Sequence, residues 1–245
     1  MSLPKLETPT FELTLPSTDL KVKYRPFLVK EEKILLQALE SQENKQIIQA
    51  LQDICFACTF GTLDVSKLPT FDLEYVFLQI RAKSVGEVAK VRLLCPDDKQ
   101  TYADVEIDLT KVEVQVEDDH DNKIVIDEER NLGMIMKYPT ITSIDPTESV
   151  KGMSTKRIFD LMASTVYQIY DGEQTFAASD YKKEELLEFI EGLDSKSFEK
   201  IQKFYATMPI LKQDVEVVNP KTNVTSTITL KGITDFFVLP SHMRA

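Results

Sequence analysis

Tyr24-Arg25-Pro26-Phe27-Leu28-Val29-Lys30-Glu31-Glu32-Lys33-Ile34-Leu35-Leu36 is the stretch from which the fold is read. An extended segment, Lys21 to Leu28, carries Arg-Pro-Phe near its end and passes directly into a charged, then strongly apolar, helix start. Pro26 biases Arg25 away from helical backbone, because the proline ring clashes with the residue before it in that conformation. A helix is predicted over Lys30 to Ser41, with Ile34, Leu35, Ala38 and Leu39 on one face. Upstream, Phe11 to Leu15 alternate as a half-buried strand does, and Pro16 ends it.

The clearest helical pattern follows, from Asn44 to Phe60. Ile47, Ile48, Leu51, Ile54, Cys55 and Cys58 form one wide stripe, and Gly61 is placed to close the helix. A third helix is predicted from Phe71 to Lys83. It is apolar on two faces, with Phe71, Tyr75 and Leu78 on one and Leu73, Phe77 and Ile80 on the other, so it belongs at the centre of a core. After Gly86 the period changes to two. Val105, Ile107 and Leu109 alternate with acidic residues, Val112, Val114 and Val116 continue, and Ile124, Ile126 and Met134 to Met136 suggest further strands. This reads as an antiparallel meander of about four or five strands with one wet face. Helices return at Thr155 to Tyr170, Tyr181 to Gly192 and Ser195 to Thr207. Ser179 or Asp180 is placed to cap the second and Asp194 the third. Asp214 to Val218 and Val224 to Leu230 form a hairpin, and Gly232 to Phe237 a terminal turn.

The fold class is therefore α+β. An N-terminal unit of strands and three helices spans 1–86, a β meander 87–138, and a second helical unit with a C-terminal hairpin arm 139–245. A weak internal repeat links two of these parts. Val91 to Leu94, then Cys95-Pro96-Asp97-Asp98, leads through a polar turn into Tyr102 to Leu109; Val215 to Val218, then Asn219-Pro220-Lys221-Thr222, leads likewise into Val224 to Leu230.

Composition bounds the function. With 245 residues and 42% apolar content, the chain can bury a sizeable core. Its net charge of -11 argues against non-specific tracking of a nucleic-acid backbone; it reads as a solvated acidic surface, with steering toward a basic partner surface as the alternative. No apolar stretch approaches the ~20 residues that span a bilayer, and Met1-Ser2-Leu3-Pro4-Lys5 lacks a signal-peptide core. A cytosolic product without membrane contact is expected. Three cysteines do not make a disulfide framework.

Candidate chemistry is sparse. Cys55 and Cys58 have the CxxC spacing of a redox or metal pair, but they lie inside a helical stripe rather than at a helix start, where the dipole favours a thiolate. They read as core. Cys95-Pro96-Asp97-Asp98 resembles half of a zinc ribbon, yet of the four ligand positions Cys95, Asp98, Asn219 and Thr222 only one is a cysteine. A metal-free ribbon is the expectation, held by pairing and packing. Asp118, His120, Asn122 and Glu129 fall at calcium-loop positions, but Lys123 stands where the loop needs glycine. There is no nucleophile elbow, phosphate loop or zinc-protease motif, and seven glycines leave little material for phosphate-cradling loops. No catalytic residue, cofactor or metal is assigned, and no enzymatic activity is expected.

The opening stretch Tyr24 to Lys33 resembles the N-terminal signature of the baseplate hub family of T-even-like contractile-tailed phages. So do Leu68-Pro69-Thr70-Phe71-Asp72-Leu73-Glu74-Tyr75 and Ile80-Arg81-Ala82-Lys83-Ser84-Val85-Gly86-Glu87. Phe204-Tyr205-Ala206-Thr207-Met208-Pro209, then a hairpin and Leu230 to Phe237, resemble the family's closing block. The resemblance implies a hub-assembly chaperone acting through protein–protein binding, or a structural hub subunit retained in the virion. It implies partners among other hub or tail proteins, the tail-length determinant being one candidate. The implied location is the host cytoplasm during assembly, with the virion tail baseplate as the alternative. The contacts it points to are Arg25, Pro26, Phe27, Arg81, Lys83, Phe236 and Phe237, since arginine and aromatic residues anchor interfaces. The competing reading makes the phenylalanines core and the arginines local ion-pair partners.

Overall fold

The computed structural model describes residues 7–143 and 154–236. The class is α+β, with small antiparallel sheets and helices packed on them. The chain divides into two compact units: Met1–Gln115 with Ile210–Ala245, and Val116–Pro209. This grouping differs from the consecutive segments 1–86, 87–138 and 139–245. The difference comes from one long-range pairing. Strand β5 (Glu113–Gln115) lies beside β10 (Ile210–Val218), so the last part of the chain rejoins the first.

In the first unit, β1 (Phe11–Thr14) pairs with β2 (Lys21–Tyr24) and buries Leu13, Val22 and Tyr24. Helices α1 (Val29–Ser41), α2 (Asn44–Cys58) and α3 (Thr70–Val85) follow. The predicted face of α1 is only partly correct: Leu35 and Ala38 are buried, but Ile34 is exposed. On α2 the stripe Leu51, Ile54, Cys55 and Cys58 is buried as expected. Its closure is one residue earlier than Gly61 suggests. Phe60 already takes left-handed backbone at φ 58°, donating to the Ala57 carbonyl (3.4 Å), and Gly61 then donates to that of Phe56 (2.9 Å). Central α3 packs on α2 and, through Leu78 and Ala82, on the β arms.

The strands expected as one meander exist, but they serve three sheets. β3 (Val88–Leu94) and β4 (Tyr102–Asp108) form a hairpin of their own. β5 joins β10, whose other neighbour is β11 (Thr225–Lys231); the short helix α7 (Gly232–Phe236) ends the described chain. β6 (Lys123–Asp127) and β7 (Leu132–Met136) belong to the second unit, in a sheet ordered β6-β7-β8-β9. The period-two pattern identifies strands, while their partners are set by contacts far along the chain.

In the second unit, helix α4 runs over Thr155–Thr165, not to Tyr170. Val166-Tyr167-Gln168-Ile169-Tyr170-Asp171 is strand β8, paired with β7 and with β9 (Gln174–Ala177). These β-branched and aromatic residues favour a pleated surface, and β7 supplies an edge for them. Gly133 on β7 leaves room for its neighbours in the same sheet: a Cβ there would collide with the Ile124 carbonyl of β6 and the Tyr170 hydroxyl of β8. Helix α5 (Lys183–Glu191) is not capped by Ser179 or Asp180, which sit in a 3-10 turn at Ala178–Asp180. Instead Glu185 accepts from the Lys182 N–H at 2.8 Å. Helix α6 (Ser195–Thr207) is capped by Asp194 as predicted, through the Ser197 N–H at 2.8 Å.

Candidate interaction surface

The Arg-Pro-Phe stretch joins three helix ends. The Arg25 N–H donates to the Cys58 carbonyl at the end of α2 (3.0 Å). The Arg25 guanidinium donates to the Pro26 carbonyl (2.9 Å) and to Glu31 Oε1 (2.9 Å). Glu31 Oε2 accepts the Leu28 N–H at the start of α1 (2.8 Å), and the Phe27 N–H donates to Ser84 Oγ near the end of α3 (2.8 Å). The Arg25 and Glu31 side chains are 11% and 4% exposed, so the ion pair is largely shielded, with the exposed Lys30 ammonium 3.4 Å from the same Glu31 oxygen. Burial pushes the Glu31 carboxyl up. The hydrogen bonds from Arg25 and Leu28 and the nearby charges of Arg25 and Lys30 outweigh it and hold the group below the usual glutamate range. Arg25 is therefore a structural lock, and Pro26 and Phe27, both half-buried, are its flanks.

The other contacts suggested by the sequence separate. Phe236 is 1% exposed and packs with Leu78, Ala82, Leu211 and Leu230, so it is core and not a surface anchor. Phe237 lies outside the described residues. Lys83 pairs with Glu87 and lies over the Phe11 ring, 5.4 Å from its centroid. Arg81 is half-buried, and burial lowers its pKa. The side chains α2 leaves in solvent include Phe56, 50% exposed, with Phe60 just beyond its end at 53%. Both lie off the stripe read from the sequence, and that position was the available signal.

The cysteines and His120 are occupied structurally. Cys55 and Cys58 are fully buried; burial raises both thiols, Cys58 to about 11 despite the Arg25 charge. Such thiols are inert at neutral pH. His120 does not join a calcium loop. Its Nδ1 lies 2.9 Å from Thr207 Oγ1 and its Nε2 2.9 Å from the Tyr138 hydroxyl. The Thr207 hydroxyl donates to the Lys203 carbonyl, so it accepts from His120 Nδ1–H, and Tyr138 then donates to Nε2.

The two arms of the repeat meet in one small apolar cluster of Cys95, Ala103 and Val217. Their tips share a hydrogen-bond pattern. Lys99 N–H donates back to the Cys95 carbonyl (3.0 Å) and Asn223 N–H to that of Asn219 (2.9 Å), with Lys99 and Asn223 both left-handed, at φ 54° and 58°. Where a ribbon would place a metal between the tips, Asp97 makes the link. It accepts two bonds from Asn219 Nδ2, at 2.9 and 3.0 Å, and one from the Thr222 hydroxyl at 2.5 Å. Those bonds, Thr222 foremost, hold the Asp97 carboxyl below its usual range. Asp98 is committed to its own turn, accepting from the Thr101 hydroxyl (2.6 Å) and from the N–H groups of Thr101 and Gln100. Among the described residues, no group of three or more His, Cys, Asp or Glu could hold a metal ion. No helix among them is long and apolar enough to cross a membrane.

A family described as T4 bacteriophage base plate protein matches residues 8–238. The match takes in both compact units, and the chain belongs to that family. No curated protein and no solved structure matches it significantly.

Proposed function

We propose that this phage baseplate protein is an assembly factor for the baseplate hub, a chaperone that holds a hub or tail protein while the tail is built. The observation that carries this reading is the family match over 8–238. The site chemistry is in keeping with it: among the described residues the thiols, His120 and the Arg25–Glu31 pair are all tied into structural contacts. A net charge of -11 suits a factor that keeps a basic partner in solution. It acts by binding and not by catalysis, in the host cytoplasm during assembly. Co-purification from infected cells tests this. Hub proteins or the tail-length determinant are expected with the tagged chain, and recovery of no baseplate or tail protein overturns the proposal.

The family description names the base plate itself, and this favours a second reading, a structural hub subunit that stays in the particle. Purified virions separate the two. Stoichiometric presence supports the subunit and sinks a purely transient chaperone.

A further inference from the structure

The small sheets of this fold have several edges, and they are not alike. An open strand edge is a template for another chain, and proteins usually blunt it with charge, proline or short length. Here β2 carries Lys21 and Lys23, β3 carries Lys90 and Arg92, and β4 carries Asp104, Glu106 and Asp108. β1 and β9 have four residues each, and β5 has three. β6 begins with Lys123 and ends with Asp127. β11, by contrast, has seven residues, Thr225-Ser226-Thr227-Ile228-Thr229-Leu230-Lys231, with no proline and no charge before its last position. It is an outer strand of its sheet, and its pairing with β10 runs without a bulge.

The ladder parity shows which groups face outward. The Asn219 N–H donates to the Val224 carbonyl at the hairpin end, so Ser226, Ile228 and Leu230 direct their peptide groups at β10. Thr225, Thr227, Thr229 and Lys231 direct theirs away. Lys231 agrees, because its N–H is taken by Asp235 Oδ2 at 2.7 Å. Among the described residues, Thr225 to Thr229 is thus an open edge, capped at one end by Asp235.

The side chains specify what would fit. On the inner face Ile228 is half-buried against the arm cluster and Leu230 is buried, so an added strand would meet an apolar border there. On the outer face Thr227 and Thr229 lie opposite Glu216 and Asp214, both exposed acids one strand in from the edge; Asp214 Oδ1 accepts the Thr229 hydroxyl at 2.5 Å. We infer that the β11 edge docks an extended segment of a partner baseplate protein, apolar on one face and carrying Lys or Arg on the other, by strand addition. A second copy fits less well, since the outer face of its own β11 carries Thr225, Thr227 and Thr229 with a positive charge only at Lys231, and each chain has a net charge of -11. The inference rests on the baseplate-binding reading above.

The test uses the full chain and the baseplate protein that co-purifies with it. Forming the complex should slow amide exchange at Thr225, Thr227 and Thr229. Thr227→Pro removes one outward N–H and no bond to β10, and edge strands tolerate proline. It should weaken the complex at least tenfold, while Thr227→Val, which keeps the N–H, should bind as wild type. Slow exchange at Ser226, Ile228 and Leu230 in the free proline variant confirms an intact arm; if the arm is lost, the wild-type exchange pattern decides. A complex that forms with unchanged exchange at the three threonines overturns the inference and leaves the baseplate role standing, as does normal binding by an intact proline variant. Self-association through β11 also overturns it. If no baseplate protein is recovered, the functional reading fails and this inference falls with it.

Discussion

A single carboxylate decides whether the Arg25 stretch folds as a lock. Glu31 answers the shielded guanidinium with one oxygen and caps the start of α1 with the other. Its loss leaves a part-buried guanidinium with the Pro26 carbonyl but without this carboxylate; breaking a fully buried pair from one side costs about 3–5 kcal/mol, and about half of that is expected here. Glu31→Ala should lose stability of this order in denaturant unfolding, with the slope unchanged. The pH dependence has a definite sign. The folded-state pKa of Glu31 lies below the ordinary glutamate range, so its contribution is present above that range and is lost as pH falls through the depressed value. Wild type should therefore weaken more steeply on acidification than Glu31→Gln does. Equal acid limbs would show that the pair contributes nothing. The opening sequence disclosed this junction as strand, turn and helix. The competing reading already made Arg25 a local ion-pair partner; what spacing did not single out was Glu31 as the partner, with its other oxygen on the Leu28 N–H.

At the scale of elements, local periodicity and hairpins were legible and long-range pairing was not. The α2 stripe, the two-faced α3, the Asp194 cap and both hairpin arms could be read from spacing alone. Strand β8 could not. Val166 and Ile169 continue the apolar stripe of α4, so a helical pattern runs through residues that β7 recruits into a sheet. The arm tips were half legible: the sequence repeat showed two similar turns, while the bond from Asp97 across to Asn219 and Thr222 needs the arms side by side. Asn219 is 1% exposed; its Nδ2 serves Asp97, and its Oδ1 accepts the Lys221 N–H at 2.8 Å. Asn219→Ala removes these bonds at a buried position, and a loss of about 1–3 kcal/mol is expected. Backbone amide exchange should rise first at Lys99 and Asn223. A variant with unchanged exchange and melting would show that packing of Cys95, Ala103 and Val217 holds the tips without the clip.

For the whole molecule, the order of the chain is the informative fact. Val116–Pro209 is continuous, whereas the other unit is assembled from two stretches of chain. Gln115 and Ile210 are register partners on β5 and β10, so the chain leaves the first unit and returns to it at neighbouring positions. The second unit is thus inserted at what would otherwise be a hairpin turn. Each unit also has its own core: Leu109, Val112 and Leu211 in one, Met134, Ile201 and Phe204 in the other. Antiparallel neighbours can be joined by two residues, for which Asn-Gly supplies the backbone that matches the strand twist. Replacing 116–209 with Asn-Gly should therefore leave a first unit that unfolds cooperatively, with β5, β10 and β11 still protected from exchange. The segment 116–209 should also fold alone, since its sheet and helices bury their own apolar faces. An excised first unit that retains helical signal but loses its cooperative transition would mean that the β5–β10 pair depends on the insertion. The two units would then be a single folding unit despite their separate cores.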